Sequence, residues 1–263
     1  MANGDVREML TVCLKELHLP AFRSGYEELA CQALQETMSY EQYLLGLAER
    51  ECQERRQRRI ERQLRESRLP LEKSWSALKL NRLPAKVVQQ MRSLLEGSFV
   101  DRRENVLVFG VPGSGKTHLL CALGQELVRS GRRVQFWATG LLVQELLVAK
   151  RDLKLSRVLK RLSGYEVLIL DDLGYVQQSR EEMEVLFTLL AERYERGSVL
   201  LTSNLPFSGW ESIFKDAMTT AAAIDRLVHH CVIVELNIAS YRAEQAKKEK
   251  HGRGSATVEE EQR

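Results

Sequence analysis

The sequence feature that most constrains this chain is a glycine-rich octapeptide at residues 110–117. It fits the pattern G-x-x-x-x-G-K-[ST] at every fixed position and follows an apolar run at 105–109. A triphosphate needs backbone N–H donors, a cation and a magnesium ligand, and this octapeptide supplies all three. The pattern therefore predicts a strand, a phosphate loop and a helix whose positive end faces the phosphates.

The last two residues of the phosphate loop have separate expected roles. Lys116 is expected to reach the β- and γ-phosphates, and the Thr117 hydroxyl is expected to coordinate Mg²⁺. The alternative is an ordinary glycine-rich turn, but the apolar runs on both sides, at 105–109 and 119–128, are those that the motif requires. We expect the loop to hold the nucleotide through Gly110, Pro112, Gly113, Ser114, Gly115, Lys116 and Thr117.

Two consecutive carboxylates follow a second apolar run, at residues 167–170. Neighbouring side chains of a strand point to opposite sides, so Asp171 and Asp172 can take different roles. Asp171 is expected to hold Mg²⁺ through its water shell, because magnesium gives up water reluctantly. Asp172 is expected to orient or deprotonate the water that attacks the triphosphate.

A polar amide, Asn204, follows the apolar run at 199–202. If that strand lies beside the strand that carries the two acids, Asn204 could hold the attacking water against the γ-phosphate. The alternative is an ordinary turn residue before Leu205 and Pro206. The residues alone leave both interpretations open.

An arginine, Arg226, lies toward the end of a predicted helix at 217–229. An arginine supplied across a subunit boundary can stabilise the charge that develops in phosphoryl transfer and can couple hydrolysis to assembly. A helical arginine on its own is more often a plain surface residue, and that alternative stays open at this point.

The N-terminal region has apolar residues at helical spacing and then a strongly basic stretch. Three short helices are predicted within 6–49, with Pro20 and Gly25 in the first gap and a capping box of Ser39 and Gln42 in the second. A separate long helix is predicted at 50–68. Its arginines could form a solvated face with ion pairs such as Glu51 to Arg55 and Glu54 to Arg58. They could instead contact nucleic-acid phosphates, for which the candidates are Arg55, Arg58, Arg59 and Arg62.

Strands alternate with helices from the phosphate loop onward, which indicates an α/β fold with a parallel sheet flanked by helices. A capping box of Ser179 and Glu182 begins one helix, and Gly197 is expected to end it in a left-handed conformation. The predicted strands are 105–109, 133–138, 167–170, 199–202 and 231–236. The predicted domains are a helical domain at 1–69, a linker at 70–84, an ATPase domain at 85–245 and a disordered charged tail at 246–263.

Composition limits the class of protein further. The net charge is +3, with basic residues concentrated before the phosphate loop and near the end. The cysteines lie far apart without a C-x-x-C pair, which suits a reducing compartment and argues against a zinc site. His118, His229 and His230 show no ligand spacing and are read as structural. No apolar run is long enough for a membrane span, so a cytoplasmic protein with no membrane contact is expected.

Together these motifs resemble those of AAA+ ATPases: a Walker A motif at 110–117, a Walker B motif at 167–172, a sensor 1 amide at Asn204 and an arginine-finger box at 225–227. More closely, the chain resembles the IstB-like transposition helper ATPases, relatives of the DnaC helicase loaders. The segments that carry this resemblance are 115–119, 171–174, 202–206, 225–227 and 240–242, together with the basic run 50–68.

The resemblance implies an ATP- and Mg²⁺-dependent ATPase that assembles with itself on double-stranded DNA, with an arginine finger acting in trans. It further implies that a transposase of the same insertion element is the partner and that target selection is the task. A DnaC-like replicative helicase loader is the alternative, and a DNA-binding module that uses ATP only as an assembly ligand also stays open.

Two departures from the general AAA+ pattern bear on the expected mechanism. Asp172 stands where most AAA+ proteins have glutamate, so its reach to the water is shorter and slow turnover is expected. Too few residues follow the last predicted strand for the usual C-terminal helical lid, and Arg242 could replace the nucleotide-sensing arginine of that lid. By the same resemblance, His118 belongs to the nucleotide-binding set.

Overall fold

The computed structural model describes residues 3–174, 179–214 and 216–241. The chain divides into two compact units, Met1–Arg62 and Gln63–Arg263. The expected charged tail at 246–263 lies outside the described residues. None of the helices in the described part of the chain combines the length and apolar character that a membrane crossing requires.

The first unit is built from helices α1 (Asn3–Glu16), α2 (Pro20–Gln35) and the first part of α3 (Tyr40–Glu66). Its small core contains Leu14, Ala21, Leu29 and Leu47. The capping box at the start of α3 is confirmed, because the Ser39 amide donates to Gln42 Oε1 at 2.8 Å and the Gln42 amide donates to Ser39 Oγ at 3.2 Å.

Two sequence predictions for this unit were wrong. The third short helix and the arginine-rich helix are one continuous helix, since no residue between Tyr40 and Glu66 breaks the helical pattern. Pro20 and Gly25 lie inside α2 rather than in the gap before it. Proline suits the first position of a helix, where its missing N–H would have had no helical partner. The buried Glu51 carboxylate accepts the N–H of Ala21 at 2.8 Å and so satisfies that end of α2.

The second unit contains a five-stranded sheet in the order β2-β3-β4-β1-β5, with every neighbouring pair parallel. All five predicted strands are present within a few residues of their expected bounds. Because the strands are parallel, their carboxyl ends meet at one edge of the sheet. The strands are β1 (Asn105–Gly110), β2 (Val134–Ala138), β3 (Val167–Leu173), β4 (Ser198–Ser203) and β5 (Cys231–Leu236).

Helices cover both faces of this sheet, as a parallel sheet requires. Val167 and Ile169 of β3 pack into one core and Leu168 and Leu170 into the other, which is the two-residue alternation of a strand. The described helices of this unit are α4 (Ala85–Leu95), α5 (Ser98–Asp101), α6 (Lys116–Arg129), α7 (Thr139–Arg151), α8 (Leu155–Ser163), α9 (Arg180–Arg193), α10 (Glu211–Phe214) and α11 (Ala217–Val228).

Residues 70–84 do not form a separate linker. Leu69 is buried, and the Gln125 side chain of α6 donates to the carbonyl oxygen of Pro70 at 3.0 Å. The boundary between the units therefore falls at Arg62 rather than after residue 69. This packing places residues 71–84 beside the phosphate loop.

The predicted role of Gly197 was also wrong. The left-handed residue after α9 is Glu195, with φ of 56°, whereas Gly197 leaves room for the Arg193 side chain. A side chain at Gly197 would collide with the guanidinium group of Arg193. Arg193 is buried and donates to main-chain carbonyls that include Tyr165 O at 2.6 Å and Ser198 O at 2.9 Å. Burial lowers the pKa of this arginine to about 10, so it keeps its charge at neutral pH.

Candidate functional site

The phosphate loop connects β1 to α6 in the conformation that its glycines allow. Gly113 and Gly115 have φ of 79° and 99°, in the left-handed region that favours glycine. A side chain at Gly113 would also collide with the Ser240 hydroxyl. Helix α6 begins at Lys116, so the loop lies at the positive end of that helix, where an anion is favoured.

Lys116 is held inside the loop that it is expected to serve. The residue is only 5% exposed, and its ammonium group donates to Gly110 O at 2.9 Å and Val111 O at 3.0 Å. A lysine ammonium is a compact charge with three donors, so it can exchange these carbonyl contacts for phosphate oxygens. The Lys116 ammonium group therefore already lies inside the phosphate loop before a nucleotide binds.

A cavity of about 580 Å³ opens beside the phosphate loop. Its volume lies in the range that small-molecule and cofactor sites occupy. The loop forms one wall, and the carboxyl ends of β3 and β4 contribute Asp172 and Asn204. The residues of the predicted nucleotide set that line the cavity are Pro112, Gly113, Ser114, Gly115, Lys116, Thr117 and His118.

Thr117 and Asp171, the two expected magnesium ligands, are in direct contact. The Thr117 hydroxyl donates to Asp171 Oδ1 at 2.9 Å, and the Thr202 hydroxyl donates to the same oxygen at 2.7 Å. Burial raises the pKa of the Asp171 carboxyl above its ordinary value, while the hydrogen bonds from Thr202 and Thr117 act in the opposite direction. A hydroxyl and a carboxylate oxygen thus converge where a hard cation would be bound.

Asp172 differs from Asp171 in both exposure and backbone conformation. Asp171 is 7% exposed, whereas Asp172 is exposed and lines the cavity. Asp172 has φ of 61°, a left-handed conformation that aspartate tolerates better than most residues. The expected separation of the two carboxylates is therefore present, although it arises from an irregular strand rather than from simple alternation.

Sequence reasoning missed one wall of the cavity. Lys79 and Arg82 come from the segment expected to be a linker, and Tyr241 follows β5. The Lys79 ammonium donates to the Tyr241 hydroxyl at 3.0 Å, and the Arg82 guanidinium lies 4.9 Å from the centre of the same ring. The Tyr241 amide donates to Gly113 O at 2.9 Å, so this wall is attached to the phosphate loop. The basic residues Lys73, Lys79 and Arg82 were the sequence feature from which this wall could have been predicted.

Arg226 lies near the amino ends of the strands, whereas the cavity lies at their carboxyl ends. The Asn105 side chain, at the amino end of β1, donates to Leu227 O at 3.0 Å, which fixes the end of α11 there. The Arg226 guanidinium is half-buried, lies 4.7 Å from the centre of the Phe187 ring and donates to Ala222 O at 2.9 Å. Since a strand rises about 3.3 Å per residue, roughly 16–20 Å separate Arg226 from the cavity of its own chain.

Of the three histidines that the sequence suggested to be structural, one lies at the cavity and the other two lie together at an exposed position. His118 lines the cavity, with Nε2 3.0 Å from Ser74 O. His229 Nδ1 lies 2.9 Å from the Tyr194 hydroxyl. His229, His230 and Glu195 bring their ligand atoms within 4.8 Å of one another at an exposed position, which their sequence spacing did not suggest. Arg242, the proposed substitute for a lid arginine, lies outside the described residues.

The arginines of α3 form a second candidate site, within the first unit. Arg55, Arg58, Arg59 and Arg62 are exposed, and their spacing places them along one side of the helix. Both expected ion pairs are confirmed, at 2.7 Å for Arg55 with Glu51 and 2.7 Å for Arg58 with Glu54. The basic residues Lys15, Arg23, Arg55 and Arg58 line one groove on this unit.

Comparison with known proteins identifies the family. The family profile described as IstB-like ATP binding protein matches residues 12–249. The chain belongs to this family. An insertion sequence ATP-binding protein of Sinorhizobium fredii is 41% identical over 246 residues, 93% of this chain and 83% of the relative. The ATP-binding protein of insertion sequence IS21 from Pseudomonas aeruginosa is 38% identical over 242 residues, 91% of this chain and 90% of the relative.

Solved structures confirm the fold of the second unit. The DnaC helicase loader matches with a TM-score of 0.51 at 20% identity, covering 58% of this chain and 89% of that chain. AMPPCP-bound DnaA from Aquifex aeolicus matches with a TM-score of 0.56 at 17% identity, covering 69% of this chain and 56% of that chain. The fold is that of the AAA+ ATPases, and this member of the IstB-like family is an ATP-binding ATPase.

Proposed function

We propose that this ATPase assembles on double-stranded DNA and assists the transposase of its insertion element in selecting the target. The observation that carries the proposal is its identity of 41% and 38% to insertion sequence ATP-binding proteins, across 93% and 91% of the chain. ATP bound at the phosphate loop would set the assembled state, and hydrolysis would end it.

Thr117 and Asp171 fit a magnesium ion, because their oxygens are hard ligands placed 2.9 Å apart beside the phosphate loop. We assign Thr117 as a direct ligand and Asp171 as the group that holds the ion through its water shell. When bound, Mg²⁺ would neutralise charge on the β- and γ-phosphates. Lys116 would supply the second positive charge at these phosphates.

Asp172 and Asn204 would position the attacking water, since both line the cavity beside the loop. In hydrolysis the water oxygen bonds to the γ-phosphorus as the bond from that phosphorus to the β–γ bridging oxygen breaks. Asp172 would accept the proton of the water, and the Asn204 amide would hold the water in line. The short side chain of Asp172 accounts for the slow turnover that we propose.

An arginine supplied by a second copy of the chain would stabilise the charge that develops in the transition state. Arg226 lies at the other edge of the sheet, so it can serve only the site of a second copy. Hydrolysis would then require assembly, and an assembly on DNA would hydrolyse ATP at the contacts between its subunits.

The arginine stripe of α3 is the proposed DNA interface, and its salt dependence provides the first prediction. Replacing Arg58, Arg59 and Arg62 with glutamine should weaken duplex binding and flatten its salt dependence. Each lost phosphate contact should reduce the slope of log affinity against log salt by roughly 0.9. Fluorescence anisotropy with a labelled duplex, at salt concentrations from about 50 to 200 mM, measures both quantities.

Arg55 is left intact in this variant because it also holds the first unit together, through Glu51 and through His18 O at 2.6 Å. The matched control replaces Arg92, Arg129 and Arg196, three exposed arginines of the second unit, with glutamine. It makes the same change in net charge. An equal loss of slope in both variants would mean that DNA binding follows net charge rather than this stripe.

The proposed function is tested by sedimentation of the protein on duplex and on single-stranded DNA, each with ATP, ADP or no nucleotide. We expect a large complex on duplex DNA only with ATP, and this complex should retain the transposase of the element. Assembly that prefers single strands, together with retention of a replicative helicase but not a transposase, would overturn the proposal in favour of a helicase loader.

A further inference from the structure

The carboxyl end of β3 contains a β-bulge at the point where the two carboxylates lie. Strands β3 and β4 pair in regular register as far as Leu170 and Leu201, and they pair again at Leu173 and Ser203. Two residues of β3, Asp171 and Asp172, therefore stand opposite Thr202 alone. Such a bulge redirects a side chain, and here the redirected residue is Asp172, with φ of 61°.

Side-chain hydroxyls satisfy the backbone groups around this bulge. The Thr202 hydroxyl accepts the Asp172 N–H at 2.8 Å. The Thr139 hydroxyl donates to Asp171 O at 2.7 Å, and the Ser203 hydroxyl donates to Leu173 O at 3.1 Å. Buried main-chain groups need such partners, because an unpaired one destabilises the folded chain. The bulge is thus supported on one side by β4 and on the other by the first residue of α7, which directly follows β2.

Thr202 differs from the other two hydroxyl residues because it contacts both carboxylate residues. Its hydroxyl accepts from the Asp172 amide and at the same time donates to Asp171 Oδ1 at 2.7 Å. Thr202 is fully buried in the central strand β4, so its position is fixed by packing. One hydroxyl therefore fixes the backbone that aims Asp172 and the oxygen of Asp171 that Thr117 also contacts.

We propose that Thr202 is a positioning residue for ATP hydrolysis, setting the Asp172 carboxylate toward the attacking water and the Asp171 carboxylate toward Thr117. This inference rests on the roles proposed above for Asp171 and Asp172, but not on the role in transposition. Valine has nearly the shape of threonine and can form neither hydrogen bond. Serine can form both.

The test compares Thr202→Val and Thr202→Ser with the wild-type chain. For the valine variant we expect the single-turnover hydrolysis rate to fall about 100-fold, the loss that a displacement of 1 Å can cause. Its affinity for a fluorescent ATP analogue without Mg²⁺ should change by less than about 3-fold, since the phosphate loop and Lys116 are untouched. The serine variant should recover most of the rate.

Ser198→Ala is the matched control for loss of a buried hydroxyl. Ser198 lies at the amino end of the same strand, and its buried hydroxyl has no hydrogen-bond partner among the described residues. The control should hydrolyse ATP at the wild-type rate. Thermal unfolding of every variant shows whether a slow variant is also folded at the assay temperature.

A double-mutant cycle separates positioning from general damage. If Thr202 acts largely through Asp172, Thr202→Val should slow an Asp172→Ala chain far less than it slows the wild type. The inference would be overturned if the rate losses of Thr202→Val and Asp172→Ala were fully additive. It would also be overturned if Thr202→Val were as fast as the wild type, or if Thr202→Ser were as slow as Thr202→Val. If Asp172→Ala alone hydrolyses normally, the proposed role of Asp172 fails. Sedimentation on DNA tests the transposition proposal separately.

Discussion

A chain with Lys116→Ala should lose ATP binding, with an affinity lowered by about 30-fold to several thousand-fold. The wild-type ammonium is held in the phosphate loop by Gly110 O and Val111 O, so its charge is present before the nucleotide arrives. Removing one partner of a buried charged pair costs roughly 2–5 kcal/mol, and each 1.4 kcal/mol is a factor of about ten. Titration with a fluorescent ATP analogue measures the change.

The apo protein needs its own measurement because the same substitution removes two hydrogen bonds to the loop. ATP should raise the unfolding temperature of the wild type and leave that of Lys116→Ala unchanged, since only a ligand that binds the folded state stabilises it. Lys160→Ala, at an exposed position on α8, is the control and should respond to ATP as the wild type does. If ATP still stabilised the Lys116→Ala chain fully, the assignment of Lys116 to the β- and γ-phosphates would be wrong.

The sheet and the phosphate loop could be predicted because their signals are local. Apolar runs such as 105–109 and 167–170 mark strands, and the spacing of the loop's glycines with Lys116 and Thr117 is a fixed pattern. The bounds of α3 could not be found in this way. Composition changes near Arg50, and a change in composition does not end a helix when no proline or glycine follows it.

The missed parts of the site depend on contacts between residues distant in sequence. The left-handed Asp172 donates its amide to Thr202 on the neighbouring strand, and the residues beside Asp172 in the sequence give no sign of a bulge. The wall formed by Lys79 and Tyr241 joins residues 162 positions apart. Sequence patterns identify the groups that do chemistry, whereas the residues that place them become visible only when the strands are aligned.

Replacing Arg226 with alanine should abolish hydrolysis in the assembled state, by about 10³-fold or more, the usual effect of losing an arginine finger. ATP binding should stay within a few-fold of wild type, because Arg226 lies at the edge of the sheet opposite the cavity. Hydrolysis is measured on duplex DNA at saturating ATP, and binding is measured with the same analogue as for Lys116→Ala. Arg196→Ala, which removes an exposed arginine paired with Glu192, is the control.

Mixing two inactive variants decides whether Arg226 acts on a neighbouring subunit. Asp172→Asn should bind ATP and present a normal Arg226, whereas Arg226→Ala has an intact site and no finger. In mixed assemblies some Arg226→Ala sites will face a neighbour that still carries the arginine, and these sites should hydrolyse ATP. Recovery on mixing therefore requires action in trans. Undiminished turnover by Arg226→Ala alone would remove the finger assignment, and an inactive mixture that still assembles would place the arginine's effect within its own chain.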